Sequence, residues 1–234
     1  TEDKTLVAEF VEKDYPIMTR FYVTDLNQQN RYLGSVSYTA GDKTETLFTC
    51  ATQEELPFTE YKKLHTPQVE GAVIDKTENP IRLEEGVENF SMNFKQYNED
   101  ITYNNGYRDI VCEPEIVWSY QTLYIDWNND KEFSGENEIY AAVGNNSGDN
   151  TFDDPDGNVT EGWDRTITVP AETAPGTYRM RVVYMGPDPW SNDWPSKVFT
   201  EFYNEIRNGI AYDFEIAISP ASGIEGIASG KVYY

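Results

Sequence analysis

An all-β sandwich is the fold this sequence predicts, and three observations carry that prediction. The 234 residues include 17 tyrosines beside many Asn, Asp, Gly and Thr, a composition suited to strands joined by elaborate loops. Runs such as Phe90-Ser91-Met92-Asn93-Phe94 and Thr177 to Tyr184 alternate apolar and polar side chains at the strand period of two. Turn-forming residues, among them Asn27-Gln28-Gln29-Asn30 and Gly41-Asp42, punctuate these runs. The expectation is an antiparallel β-sandwich, jelly-roll or immunoglobulin-like, with long loops and one short helix.

Taken in order, Thr5 to Phe10 and Ile17 to Val23 read as lead-in strands within residues 1–30. Arg31 to Tyr38 and Thr44 to Cys50 form a hairpin about Gly41-Asp42. Between Gln53 and Pro80 the prolines Pro57, Pro67 and Pro80 interrupt long elements, leaving room for a short strand over Gln68 to Ile74. Ile81-Arg82-Leu83 leads to the alternating strand at Phe90 to Phe94, and Asn98 to Gly106 reads as a polar turn. Ile116 to Trp127 is a strand, as are Glu138 to Val143, Arg165 to Pro170, Thr177 to Tyr184 and Ile210 to Ile218. In the Thr177 to Tyr184 strand, Tyr178, Met180 and Val182 share one face, with Arg179, Arg181 and Val183 on the other. Val198, Phe199, Phe202, Tyr203 and Ile206 fall at helical spacing, which predicts a short helix over Lys197 to Arg207. The sandwich thus runs over 31–219, and the small-residue stretch 220–234 reads as a linker tail.

Charge narrows the function. Asp and Glu number 41 against 18 Lys and Arg, a net charge of −23, so the phosphate attraction that drives nucleic-acid and anionic-membrane binding is reversed in sign. Cations and neutral ligands fit better. No apolar run is long enough to span a bilayer, and Thr1-Glu2-Asp3-Lys4 carries no apolar signal core, so the expectation is a mature or trimmed chain without membrane insertion. Two cysteines, Cys50 and Cys112, allow one disulfide or two free thiols and exclude a thiolate cluster.

Two stretches carry candidate chemistry. Asp126, Asn128 and Asp130 place oxygen-bearing side chains at every second position after a strand, and Glu136 and Glu138 stand ready to close a shell around a hard ion. The alternatives are a calcium loop and a hydrogen-bonded acidic turn, and an EF-hand-like loop would want Gly where Lys131 stands. Asp149, Asp153, Asp154 and Asp156, in the long loop from Gly144 to Gly162, offer further oxygens. In Pro189-Trp190-Ser191-Asn192-Asp193-Trp194-Pro195, Trp190 and Trp194 flank Asn192 and Asp193. Flat indoles beside planar acceptors match the apolar faces and hydroxyl fringe of a sugar; alternatively the indoles plug the end of the sandwich. Trp118, Trp127 and Trp163 read as structural. The carboxylate pairs Glu84-Glu85, Asp153-Asp154 and Glu136-Glu138 match the paired acids of a glycosidase in residue type alone, because nothing fixes their separation across a substrate. His65, the one histidine, lies in loop-like sequence without a nucleophile motif beside it. The expectation is therefore a protein that is not an enzyme.

Three motifs in sequence order resemble one family. They are Asp126-Trp127-Asn128-Asn129-Asp130-Lys131-Glu132-Phe133, the run Thr168-Val169-Pro170 to Pro175-Gly176-Thr177-Tyr178-Arg179-Met180-Arg181, and Gly209-Ile210-Ala211-Tyr212-Asp213-Phe214-Glu215-Ile216. Together they resemble the GEVED-type β-sandwich domain over roughly Arg31 to Ser219. The name-giving Gly-Glu-Val-Glu-Asp run reads Gly209-Ile210-Ala211-Tyr212-Asp213 here, leaving Asp213 as its one matching carboxylate. The tail from Gly223 to Tyr234 resembles the start of a C-terminal secretion or anchoring segment. The resemblance implies an accessory module of a secreted or cell-surface protein of a Gram-negative bacterium, with a catalytic or adhesive module upstream. It favours calcium at the Asp126 loop, and it implies either a carbohydrate or glycoprotein ligand or a purely structural spacer between a catalytic module and a surface anchor.

Overall fold

In the computed structural model the described residues are 14–21, 32–52, 55, 68–70, 73–97, 99–104, 107–112, 119–145, 162–185, 202, 204–207 and 209–222. Fifteen strands are formed among them: β1 (Thr19–Phe21), β2 (Leu33–Ala40), β3 (Lys43–Thr49), β4 (Gln68–Glu70), β5 (Val73–Asp75), β6 (Ile81–Glu84), β7 (Asn89–Gln96), β8 (Ile101–Asn104), β9 (Asp109–Cys112), β10 (Ser119–Asp126), β11 (Ile139–Asn145), β12 (Gly162–Thr168), β13 (Gly176–Met185), β14 (Glu205–Arg207) and β15 (Gly209–Ser219).

One main sheet has the order β11-β10-β13-β15-β5, with β6 also on β15; the facing sheet runs β12-β7-β2-β3. Alternation decides which side chains meet between them. Val36, Tyr38, Phe90, Met92 and Phe94 come from one sheet and Leu123, Ile125, Tyr178, Met180, Val182 and Phe214 from the other, forming a single buried core. A buried cross-sheet bond fixes their relation, the Leu33 amide donating to the Tyr212 hydroxyl at 2.9 Å. The β2–β3 hairpin turns at Gly41, whose φ of 58° is the left-handed conformation that suits glycine.

The larger sheet is covered on its outer face too. There Tyr124, Val183 and Ala211 meet Met18, Phe133, Met185 and Ile206 in a second buried cluster. Burial on both faces explains why β13 and β15 are almost continuously buried, where a sandwich strand with one wet face would alternate. The cover includes a small sheet ordered β14-β1-β4, in which β1 runs parallel to β14 and antiparallel to β4. The sandwich is therefore mixed, since β15 also pairs parallel with β5 and β6.

Two expectations need correction. Glu205–Arg207 is a strand where a helix was expected: Ile206 is fully buried in the second cluster and its backbone pairs with β1, so tertiary pairing overrides the helical spacing. Residues 197–201 and 203 lie outside the described residues. Ile101–Asn104 forms β8 and pairs with β9, where a polar turn was expected. Of the lead-in strands, Thr5 to Phe10 lies outside the described residues, and β1 finds its partners in β14 and β4. Cys50 is a free thiol, donating to the Thr52 carbonyl at 3.4 Å, and burial pushes its pKa up.

Candidate functional site: the acidic loop and its buried anchors

β10 carries Asp126 to the end of the larger sheet, where it is fully buried. Its carboxylate is held by the loop that follows: Asp130 N donates to Oδ1 at 3.2 Å and Lys131 N to Oδ2 at 3.0 Å. The turn tightens through Asn128 Oδ1, which accepts from Asp130 N at 2.8 Å, and Asp130 Oδ1, which accepts from Glu132 N at 2.8 Å. These are Asx-type bonds, in which a short side chain replaces a backbone acceptor. Such winding requires left-handed backbone at Asn129 (φ 58°) and Lys131 (φ 61°). Lys131 thus adopts the conformation for which an EF-hand-like loop uses glycine.

Glu138, also buried, closes the loop from the far side. It accepts from Asn128 N at 3.2 Å through Oε1, and from Ser134 N at 3.1 Å and Gly135 N at 2.6 Å through Oε2. A Cβ on Gly135 would lie 2.6 Å from Glu138 Cδ, so any larger residue there would displace the carboxylate from its present position. Desolvation raises the Glu138 pKa, and the nearby charges of Asp126 and Asp130 raise it further, against the lowering effect of the Gly135 and Asn128 amides. Glu136 is exposed.

Beneath the loop is a second set of charges that sequence reasoning missed. Arg181 and Asp213 form a buried bidentate pair, Nε to Oδ1 at 2.7 Å and Nη2 to Oδ2 at 2.8 Å, and Arg179 Nη1 reaches Oδ2 at 3.1 Å. Arg181 also donates to the Pro16 carbonyl. Tyr15 bridges the two sets: its hydroxyl donates to Asp126 Oδ2 at 2.9 Å, and its ring stacks on Phe133 at 5.6 Å with Arg179 over it at 5.0 Å. Desolvation first, then the bond to Asp126, pushes the Tyr15 pKa well up. The signal was available in the arginines at alternate positions of one motif and the acids Asp213 and Glu215 at alternate positions of another. Placing those motifs on adjacent antiparallel strands puts Arg181 opposite Asp213, which is the observed register.

The structure brings Asp126, Asn128, Asp130 and Glu138 onto one loop. Among the described residues, no three His, Cys, Asp or Glu side chains are gathered as a group that could hold a metal ion. The donor chemistry nonetheless suits a hard cation, being all oxygen. In the loop as it stands, the Glu138 oxygens accept the amides of Asn128, Ser134 and Gly135. Trp190, Asn192, Asp193 and Trp194 lie outside the described residues, as do Trp118, Asp153, Asp154 and His65. Trp127 and Trp163 are buried in the main core, in keeping with their reading as structural residues.

A two-sheet all-β module with a carboxylate-wound loop at one end is thus the class of protein that fold and site define. Within it, residues 120–216 match the family model of the GEVED domain, and the resemblance to that family rests on this span. The matched span contains β10 to β15, with both the acidic loop and the Arg181–Asp213 pair. GEVED is an accessory-domain family, which agrees with a non-catalytic module. No curated protein matches the chain.

Proposed function

We propose that this domain is a non-catalytic accessory module of a secreted or cell-surface protein of a Gram-negative bacterium, and that it binds carbohydrate. The observation that carries the reading is the GEVED match over 120–216. Within that span, buried carboxylates fix a loop and a buried ion pair clamps two strands. In this reading Trp190 and Trp194 offer stacking faces, with Asn192 and Asp193 as planar hydrogen-bonding groups. Calcium at Asp126, Asn128, Asp130 and Glu138, with Glu136 as a further donor, would neutralise the loop's crowded charge and stiffen it. A glycan array read with and without chelator tests both parts. The expected result is retention of a glycan class that disappears in Trp190→Ala, together with a chelator-induced fall in melting temperature. No glycan signal under either condition overturns the carbohydrate reading, and a melting temperature indifferent to chelator overturns calcium.

A second reading is a structural spacer between a catalytic module and a surface anchor. It is favoured by the burial of both described indoles, Trp127 and Trp163, in the main core. The same array separates the two, because a spacer retains no glycan.

A further inference from the structure

At the end of the sandwich formed by the β6–β7 and β12–β13 connections, a recess of about 700 Å³ opens between two turns. Its floor is apolar and continuous with the main core: Leu83 and Ile218 are buried there, and Val87 and Val169 pack against that core. The walls are preorganised. Val87 N donates to Glu84 O at 3.2 Å across one turn, and Thr173 N to Pro170 O at 3.2 Å across the other; Val169 N to Glu88 O at 2.9 Å ties them together. Among the described residues, four glutamates, Glu84, Glu85, Glu88 and Glu172, line the recess, and no Lys or Arg does. Among the described residues none of the four has an ion-pair partner. The Glu84 and Glu85 carboxylates accept bonds of 3.3–3.4 Å from Ser222 and Ala221. Glu172 holds a φ of 69°, a backbone conformation that Gly or Asn would adopt at less cost.

An apolar floor beneath an uncompensated anionic rim is complementary to one kind of group, a long aliphatic stem ending in a positive charge. Lys and Arg have that form, laying the stem on apolar surface while the charged head stays at the rim. We propose that this recess docks a Lys- or Arg-bearing segment of a partner protein. The recess shares no lining residue with the acidic loop, and the proposal is independent of the carbohydrate reading. A neutral glycan would find no use for the rim charge, and a phosphate-bearing ligand would be repelled by it.

The test is a titration of the full ¹⁵N-labelled chain with an end-blocked Leu-Lys-Leu-Lys-Leu peptide and with its Leu-Gln-Leu-Gln-Leu counterpart. The lysine peptide is expected to shift amide signals in 83–88 and 168–174, with an affinity that falls as salt is raised. The triple variant Glu84→Gln, Glu88→Gln, Glu172→Gln is expected to bind roughly fivefold or more weakly, by the usual strength of exposed ion pairs. Removing as much charge elsewhere, in Asp42→Asn, Glu78→Gln, Asp100→Asn, is expected to leave the affinity within about twofold, since screening confines the effect to nearby charges. Equal binding of the glutamine peptide, equal weakening in the two triple variants, or shifts confined to other parts of the chain would each overturn the proposal.

Discussion

Replacing Asp213 with Asn probes the clamp beneath the acidic loop. The Arg181 and Asp213 side chains are 4% and 7% exposed, so the guanidinium would be left in a buried site with an amide whose NH₂ group opposes its donors. Removing one partner of a buried pair typically costs about 3–5 kcal/mol, mostly through the uncompensated charge. For a domain of this size that corresponds to a fall in melting temperature of about 6–20 °C. Arg179 adds to the loss because it also donates to Asp213 Oδ2 at 3.1 Å, whereas the Arg181 bond to the Pro16 carbonyl is retained. Urea denaturation with an unchanged slope would report the loss as stability alone. The double variant Arg181→Met, Asp213→Leu should recover most of it, because both charges then leave the interior together. A loss below about 1 kcal/mol in Asp213→Asn would refute the reasoning, since it would mean that the pair is solvated and holds nothing.

Other perturbations follow from single geometric facts. A Cβ on Gly209 would lie 2.1 Å from the Tyr184 carbonyl oxygen and 2.4 Å from Met185 Cα, so Gly209→Ala must push β15 off β13; a loss of about 3 kcal/mol by denaturant titration is expected. Lys131→Gly relieves left-handed backbone at a φ of 61° and should stabilise the domain by about 0.5–1 kcal/mol, after the greater unfolded-state entropy of glycine is deducted. The Glu138 pKa is raised above its ordinary 4.5 by desolvation first. Its proton-linked contribution to stability is therefore fully present below about pH 4.5 and is lost as the pH rises through the folded value. The stability of the wild type relative to Glu138→Gln should fall with rising pH across that window, and the opposite slope would contradict the assignment.

What the sequence revealed followed from local pattern. β7 and the first half of β13 have one face in the core, so their alternation was legible, including which side chains share Tyr178's face. Ile206 was misread because a few apolar residues fit helical and strand periods alike, and only the pairing of β14 with β1 decides between them. The acidic loop was visible as spaced oxygens, yet spacing does not reveal what those oxygens bind. Asp126 and Glu138 accept backbone amides of their own loop, a result that depends on left-handed turns at Asn129, whose residue type favours them, and at Lys131, whose residue type does not. The Arg181–Asp213 pair lay between residues 32 apart in sequence. It emerges only once β13 and β15 are known to be neighbours.

The central claim, a non-catalytic module that holds carbohydrate, is tested most directly by calorimetric titration of an array-selected glycan into the wild type and into Trp190→Ala, Trp194→Ala, with melting temperatures recorded alongside. The account predicts that the double variant loses the binding heat, that its melting temperature stays within about 2 °C of wild type, as the ligand-stacking role proposed for both indoles requires, and that the glycan is recovered uncleaved. Unchanged binding heat in the double variant, or hydrolysis of the glycan by the wild type, would contradict it.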